Sequence, residues 1–181
     1  LAANKKILLV VGGSLGARTL NESLHQNLDM LLQNKIQVIW QTGKNYFEMA
    51  RSEVSRYNTH DIRVYDFIAR MDYAYAIADL VISRAGAITI SELCMVRKPA
   101  ILVPSPNVAE DHQTKNAMSL IKADAAMMIT DGEARNKLVQ EAVSLINDDF
   151  RIRTYTENIG KLAVKKSADI IAAEIISMIE K

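Results

Sequence analysis

Residues 7–18 of the chain read ILLVVGGSLGAR, a run of apolar residues followed by a glycine-rich turn. A segment in which apolar residues recur with helical spacing begins directly after this turn. The stretch therefore predicts a buried strand that passes through a tight turn into a helix, the unit from which α/β sheets are built. A glycine-rich turn at a helix N-terminus is also a common anion-binding geometry.

The same alternation of strand and helix continues along the chain. Short apolar runs rich in β-branched residues occupy residues 7–11, 38–40, 62–65, 80–82, 100–103 and 126–129. Segments with helical spacing occupy residues 19–32, 45–57, 71–78, 89–96 and 114–122, and the pattern is helical from about residue 133 to the end. This order predicts an α/β fold, a doubly wound, Rossmann-like parallel sheet in one domain over residues 1–181. Ligands of such sheets bind beyond the carboxyl ends of the strands.

The composition limits the classes of protein to which the chain can belong. Its 22 Lys and Arg nearly balance its 21 Asp and Glu, so the chain lacks the basic excess typical of a nucleic-acid-binding protein. No apolar run approaches the roughly 20 residues that a membrane-spanning helix needs. The single cysteine, Cys94, lies in an apolar run, which predicts a buried thiol in a reducing, cytoplasmic compartment. The start at Leu1 suggests a segment excised from a longer protein.

The first turn, GGSLGAR at residues 12–18, has two interpretations. It fits neither the dinucleotide fingerprint nor the phosphate loop, because Ala17 and Arg18 stand where the phosphate loop needs Lys. It is either a turn that contacts a diphosphate or a tight turn that binds nothing. In the second case glycine supplies a positive φ and Ser14 is a turn or cap residue.

A second turn of small residues, SRAGAITISE at residues 83–92, also leads into a helix. Thr89 and Glu92 match a capping box, in which Thr89 caps the helix and Glu92 bonds back to the backbone. Alternatively, the free N–H groups of this helix bind a pyrophosphate, and Glu92 accepts hydrogen bonds from the vicinal hydroxyls of a ribose. Both interpretations stay open on these residues alone.

A third polar segment follows the fifth apolar run, with PSPN at residues 104–107 and EDHQTKN at residues 110–116. One interpretation of Asp111 beside His112 is a metal site, but no further ligand residues occur at the spacing that metal ligands need. Otherwise Asp111 caps the next helix, and His112, Gln113 and Asn116 are first-turn residues whose amides also suit sugar hydroxyls. The remaining histidines are predicted at the surface: His25 and His60.

Together these segments resemble the C-terminal domain of the MurG-type glycosyltransferases, bacterial enzymes of the GT-B fold in glycosyltransferase family 28. The matching segments are GGSLGAR (12–18), DFI (66–68) before Met71, RAGAITISE (84–92), KPAILVP (98–104) and DHQ (111–113) with Asn116 and Ala117. They cover nearly the whole chain in the family's order.

The resemblance implies that the chain is the donor half of a two-domain enzyme and binds UDP-N-acetylglucosamine. In this assignment Ser14 contacts the diphosphate, the Ile68 backbone pairs with the uracil edge, and residues 87–89 hold phosphate. Glu92 holds the ribose hydroxyls. Gln113, with Asn116 near it, reads the sugar, while His112 is Gln in some relatives. The implied donor-binding residues are Gly13, Ser14, Ile68, Gly86, Ala87, Ile88, Thr89, Ile90, Ser91, Glu92, His112, Gln113 and Asn116.

The resemblance also implies the reaction of the whole enzyme. N-acetylglucosamine passes from UDP to undecaprenyl-diphospho-muramoylpentapeptide (lipid I), which forms lipid II for peptidoglycan synthesis, with inversion and without a metal or cofactor. The sequence contains no Asp-x-Asp triplet, so helix N-termini are expected to neutralise the diphosphate. Acceptor binding, the catalytic base and peripheral docking on the cytoplasmic face of the inner membrane are expected in an N-terminal domain that this sequence lacks.

Two alternatives remain. In one, the chain is the soluble donor-binding subunit of a two-chain transferase that acts on dolichol diphosphate. In the other, it is a non-catalytic module that binds a UDP-sugar, because a donor half shows no catalytic acid or base of its own.

Overall fold

Six parallel strands form one sheet in the computed structural model, which describes residues 1–2 and 4–179. The strands are β1 (Ile7–Val11), β2 (Gln37–Gln41), β3 (Ile62–Tyr65), β4 (Leu80–Ser83), β5 (Ala100–Leu102) and β6 (Met127–Met128). Their order across the sheet is β3-β2-β1-β4-β5-β6, and each neighbouring pair is parallel. The predicted Rossmann-like sheet is confirmed.

Helices cover both faces of this sheet. They are α1 (Arg18–His25), α2 (Leu28–Gln33), α3 (Lys44–Ser55), α4 (Met71–Ile77), α5 (Ala87–Val96), α6 (His112–Lys122), α7 (Asp131–Ile146) and α8 (Asp149–Lys161). The helix α9 (Ser167–Ile179) follows them, and none of its described residues is buried. Along β1, Leu8 and Val10 join the core beneath α1, α2, α3 and α7, while Ile7 and Leu9 join the core beneath α4, α5 and α6. A strand buried on both faces is apolar at successive positions, which is why β1 reads ILLVV.

The helix predicted over residues 19–32 is two helices, α1 and α2. Asn27, between them, has φ −131° and ψ 23°, outside the helical region. Its side-chain amide donates to the Ser23 carbonyl at 2.8 Å, and the Ser23 hydroxyl donates to the Thr19 carbonyl at 2.7 Å. Side chains that bond to nearby backbone groups in this way weaken a helix, and the periodicity of the apolar residues does not reveal it.

The two histidines predicted at the surface, His25 and His60, differ in their exposure to solvent. His60 is exposed, whereas His25 is half-buried and packs edge-on against Tyr46, with ring centroids 6.0 Å apart. Its Nε2 atom lies 3.7 Å from a carboxylate oxygen of Glu53. The surface prediction is therefore wrong for His25, because α3 covers this end of α1. Cys94 is buried, as predicted.

The strand order places the loops of interest together at one edge. From β1 the chain builds outward to β2 and β3, and then returns to β4 on the other side of β1. The loops that leave the carboxyl ends of β1 and β4 diverge at this point, and such divergence opens the crevice in which doubly wound sheets bind ligands. Among the described residues, no helix combines the length and apolar character needed to cross a bilayer.

Candidate functional site

The loop after β1, residues 12–17, carries Gly13 and Ser14 at its exposed tip. Gly13 has φ +82°, in the left-handed region that glycine favours. The N-cap residue of α1 is Ala17. Ser14 therefore lies three residues before the cap position, so its predicted cap role is wrong and its role as a turn residue stands. Ser14 is an exposed residue in the loop that leads into α1.

This loop packs directly on the loop after β2. Gly16 has φ +80°, and a Cβ atom there would collide with the Thr42 carbonyl oxygen. Gly43 has φ +74°, and a Cβ atom there would collide with the Gly16 backbone nitrogen. Gly16 and Gly43 thus allow the backbones of the two loops to pack in direct contact. This contact holds the loop after β1 in place against the loop after β2.

One buried side chain, Gln41 at the end of β2, ties this loop to the loop after β3. Its Nε2 donates to the Gly13 carbonyl at 3.1 Å, and its Oε1 accepts from the Ile68 N–H at 2.9 Å. The sequence reasoning missed Gln41. Its signal was a polar residue directly after the apolar run at 38–40, at the carboxyl end of a strand.

The helix α5 begins at Ala87, with Gly86 as its N-cap residue. The first bond within the helix runs from the Ile90 N–H to the Gly86 carbonyl at 3.0 Å, so the N–H groups of Ala87, Ile88 and Thr89 have no partner within the helix. Ala87 and Ile88 are exposed. Three donors therefore point out of the helix start, the arrangement that binds an anion.

The capping interpretation of Thr89 and Glu92 is wrong. Thr89 is the third residue of α5 and Glu92 the sixth, because the helix starts at the small residues that precede Thr89. The Glu92 carboxylate instead accepts a hydrogen bond from the Tyr75 hydroxyl of α4 at 3.1 Å. Tyr75 is 4% exposed, and burial, followed by the charge of Glu92, raises the pKa of the phenol above its ordinary value. The phenol therefore keeps its proton and remains a donor to Glu92.

The start of α5 and the Glu92 carboxylate share one cavity of about 870 Å³. It is bounded by α4, α5, α6 and the segment after α8. Its lining includes Met71, Tyr75, Ala87, Ile88, Ser91 and Glu92. An anion at the helix start and a hydroxyl-bearing group at Glu92 would therefore occupy neighbouring parts of one space.

The arginine in the turn after β4 is held by protein groups. The Arg84 guanidinium lies 2.5 Å from an Asp131 carboxylate oxygen and donates to the carbonyls of Val103 and Pro104 at 3.1 and 3.2 Å. The second Asp131 oxygen accepts from the Thr19 hydroxyl at 2.9 Å. Asp131 thus links α1, α7 and the turn before α5, which the sequence reasoning did not predict.

The third polar segment braces the same edge. The Gln113 Oε1 accepts from the Ser105 N–H at 2.9 Å, and the Asn116 side-chain amide donates to the Ala85 carbonyl at 3.1 Å. Asp111 occupies the N-cap position of α6, as one interpretation predicts, but its side chain makes no cap hydrogen bond to the backbone. Its carboxylate accepts from the Thr114 hydroxyl at 2.6 Å instead. Gln113 keeps its Nε2 donors, and Asn116 keeps its Oδ1 acceptor, for other partners.

His112 lies exposed at the start of α6. Over residues 1–2 and 4–179, no three His, Cys, Asp or Glu side chains come together as metal ligands would. The positions of the site residues thus divide between two corners of the carboxyl edge. Gly13, which precedes Ser14, is joined to Ile68 through Gln41, and Asn116 bonds to the turn that leads into α5.

Comparison with known proteins gives a consistent result. The sequence matches the model of the glycosyltransferase family 28 C-terminal domain over residues 7–172. It is 54% identical over 181 residues to a Parabacteroides distasonis protein named UDP-N-acetylglucosamine--N-acetylmuramyl-(pentapeptide) pyrophosphoryl-undecaprenol N-acetylglucosamine transferase, and the match covers 100% of this chain and 49% of that protein. A Porphyromonas gingivalis protein of the same name is 52% identical over 174 residues, which are 96% of this chain and 46% of that protein.

Among solved structures, the crystal structure of Acinetobacter baumannii MurG superposes with a TM-score of 0.82 at 28% identity. The superposition covers 97% of this chain and 53% of that one. The chain therefore spans about half the length of the curated relatives that it matches.

Proposed function

The chain belongs to the C-terminal domains of glycosyltransferase family 28, and on this premise we propose that it is the donor-binding domain of an N-acetylglucosaminyltransferase. The donor is UDP-N-acetylglucosamine, and the acceptor is undecaprenyl-diphospho-muramoylpentapeptide. Relatives that bear the name of this activity are about twice as long as the chain and align with all or nearly all of it. In this proposal the acceptor binds to a second domain, which precedes this one and docks on the cytoplasmic face of the membrane.

One observation carries the donor assignment: Ala87 and Ile88, whose N–H groups have no partner within α5, line the same cavity as Glu92. A nucleoside diphosphate presents two anionic phosphates next to a ribose with vicinal hydroxyls. The N–H groups of residues 87–89 suit the phosphates, and Glu92 suits the hydroxyls. Ser14 then contacts the diphosphate from the other corner, Ile68 contacts the base, and Gln113 and Asn116 contact the sugar.

The chemical role of this half is to hold the leaving group. In the proposed reaction the acceptor hydroxyl oxygen forms a bond to C1 of N-acetylglucosamine while the bond from C1 to the UDP oxygen breaks. The hydroxyl proton passes to a base in the other domain. The electron pair leaves with UDP, and the developing charge on the diphosphate is stabilised by N–H groups that are already oriented at the start of α5.

The two alternatives have less support. The named relatives at about half identity are single chains that contain the matching segment, which favours one two-domain enzyme over a two-chain transferase. The family model that matches describes a glycosyltransferase domain, which favours catalysis over a sensor module.

The first prediction is that the folded domain binds UDP and UDP-N-acetylglucosamine with a dissociation constant of about 10 μM to 1 mM, because only half of a cleft is present. Calorimetry with UDP, ADP and GDP measures this, and we expect at least about tenfold weaker binding of the purine nucleotides, the scale of a few lost hydrogen bonds. Adding EDTA is expected to change nothing. Equal affinity for all three nucleotides would contradict the role of Ile68, and loss of binding in EDTA would revive a metal site.

A further inference from the structure

Gln41 joins two parts of the proposed donor site through one side chain. It is the last residue of β2 and is 2% exposed. Its amide donates to the carbonyl of Gly13, in the diphosphate loop (residues 12–17), and accepts from the N–H of Ile68, in the base loop (residues 66–70). No other side chain in the described part of the chain bonds to both loops through its own donor and acceptor.

The two bonds fix the orientation of the amide. A reversed amide would set its NH₂ group against the Ile68 N–H and its oxygen against the Gly13 carbonyl, so both bonds would be lost. A buried amide is costly unless both its ends are satisfied, and here each end is satisfied by a different loop. The separation of the two loops is therefore set by the length of one amide.

The bond to Ile68 also decides which backbone group can read a base. The Ile68 N–H is occupied by Gln41, whereas among the described residues no donor bonds to the Ile68 carbonyl. A carbonyl matches the N3–H donor of uracil and does not match cytosine, whose N3 is an acceptor. The base preference would then depend on Gln41 as much as on Ile68.

We propose that Gln41 is a positioning residue that couples the base loop to the diphosphate loop and thereby sets the preference for a uridine diphosphate. This inference rests on the proposed function, since it assumes that the two loops hold one nucleotide. The strand supplies a matched control at its other end. Gln37 is also 2% exposed, accepts from the Ala2 N–H and donates to Asp61, each at 2.9 Å, but lies at the amino edge of the sheet, away from the site.

The experiment compares Gln41→Met with Gln37→Met by calorimetry with UDP and CDP, and it monitors folding by the melting temperature. Each variant loses one donated and one accepted hydrogen bond in the same strand. Gln41→Met is expected to weaken UDP binding about tenfold and to narrow the preference for UDP over CDP, whereas Gln37→Met is expected to weaken it less than about twofold.

The possible outcomes distinguish a failure of the positioning role of Gln41 from a failure of the proposed function. If the parent protein binds UDP and folded Gln41→Met binds it equally well, or if Gln37→Met loses as much affinity, the positioning role is overturned and the donor assignment stands. If the parent protein binds no uridine nucleotide, the proposed function is contradicted and the inference falls with it.

A second variant serves where Gln41→Met does not fold. In Gln41→Glu, a protonated carboxyl can donate to the Gly13 carbonyl and accept from the Ile68 N–H, as the amide does, whereas the ionised form cannot donate. Burial raises the pKa of a carboxyl, so acid restores the donor. UDP affinity relative to the parent protein is expected to rise about fivefold between about pH 8 and pH 5.5, and a constant ratio would overturn the inference.

Discussion

At the level of single residues, Glu92 and Tyr75 test the ribose assignment. Glu92→Gln is expected to lower UDP affinity by about 1.5–3 kcal/mol, because it replaces a charged acceptor of two hydroxyls by a neutral one. Tyr75→Phe removes the donor that lies 3.1 Å from the Glu92 carboxylate and is expected to lower UDP affinity by about 0.5–1.5 kcal/mol. Calorimetry measures both changes, and an unchanged melting temperature of Glu92→Gln shows that the fold is intact.

Two controls belong to this prediction. The loss of UDP binding free energy in the double variant should be smaller than the sum of the losses in the two single variants, because Tyr75 acts through Glu92. The nucleotide 2′-deoxy-UDP should already bind the parent protein poorly and lose little more in Glu92→Gln. A folded Glu92→Gln domain that binds UDP as tightly as the parent protein would remove the ribose role.

The sequence could identify residues whose signal is local. Ser14 and Glu92 stand inside short motifs, so the motifs point to them directly. Gln41, Tyr75 and Asp131 act through partners that lie 27, 17 and 47 positions away in the chain, and no local pattern announces such pairs. Only Gln41 had a weak signal, as a polar residue that ends a buried strand.

At the level of elements, the periodicity of apolar residues locates each of the six strands. The ends of the helices depend on the local backbone conformation and capping, which this periodicity does not reveal. The helical spacing of residues 89–96 predicts that α5 starts at residue 89, where TISE also matches a capping pattern. The helix begins at Ala87 because Gly86, with φ −68° and ψ 147°, already serves as the cap residue. This shift of two residues rules out the capping interpretation of Glu92, whose carboxylate bonds to the Tyr75 hydroxyl instead.

The last helix, α9, carries an element-scale prediction. None of its described residues is buried, and several apolar side chains are more than half exposed: Ile170, Ile171, Ile175, Ile176, Met178 and Ile179. A helix of this length without packing is marginally stable in water. Ending the chain at Lys166 is therefore expected to shift the melting temperature by less than about 2 °C, as measured by calorimetry or circular dichroism.

The control for α9 is its neighbour α8, where Ile159 is fully buried. Ile159→Ala is expected to cost about 2–5 kcal/mol of unfolding free energy, as buried Ile truncations do. A large drop in melting temperature on removal of α9 would mean that the helix packs on the domain in solution.

At the level of the whole molecule, the proposed site lies on loops that the sheet brings together at one edge. The strand order places the loops after β1 and β4 on either side of a crevice, and β2 supplies the contacts that hold the first of them. The sequence predicted this arrangement because alternating strands and helices allow few topologies. It could not predict which charged groups remain available to a ligand, since that depends on pairing between distant elements.

The pairing of the arginines has a consequence for ionic strength. Arg84, whose side chain is largely buried, is paired with Asp131 at 2.5 Å. Arg18 is paired with Glu22 at 2.6 Å, but its side chain is 85% exposed, so only Arg84 is held away from a diphosphate, and we expect peptide N–H groups to make the main contacts. Hydrogen bonds at contact distance are screened less by salt than interactions between separated charges. UDP affinity is expected to fall less than about threefold between about 0.05 and 0.5 M KCl, whereas Asp131→Asn, which leaves Arg84 uncompensated, should fall more steeply. A tenfold loss in the parent protein would show that a mobile cation clamps the phosphates, and the occupancy of the proposed donor site would then vary with the salt concentration around the protein.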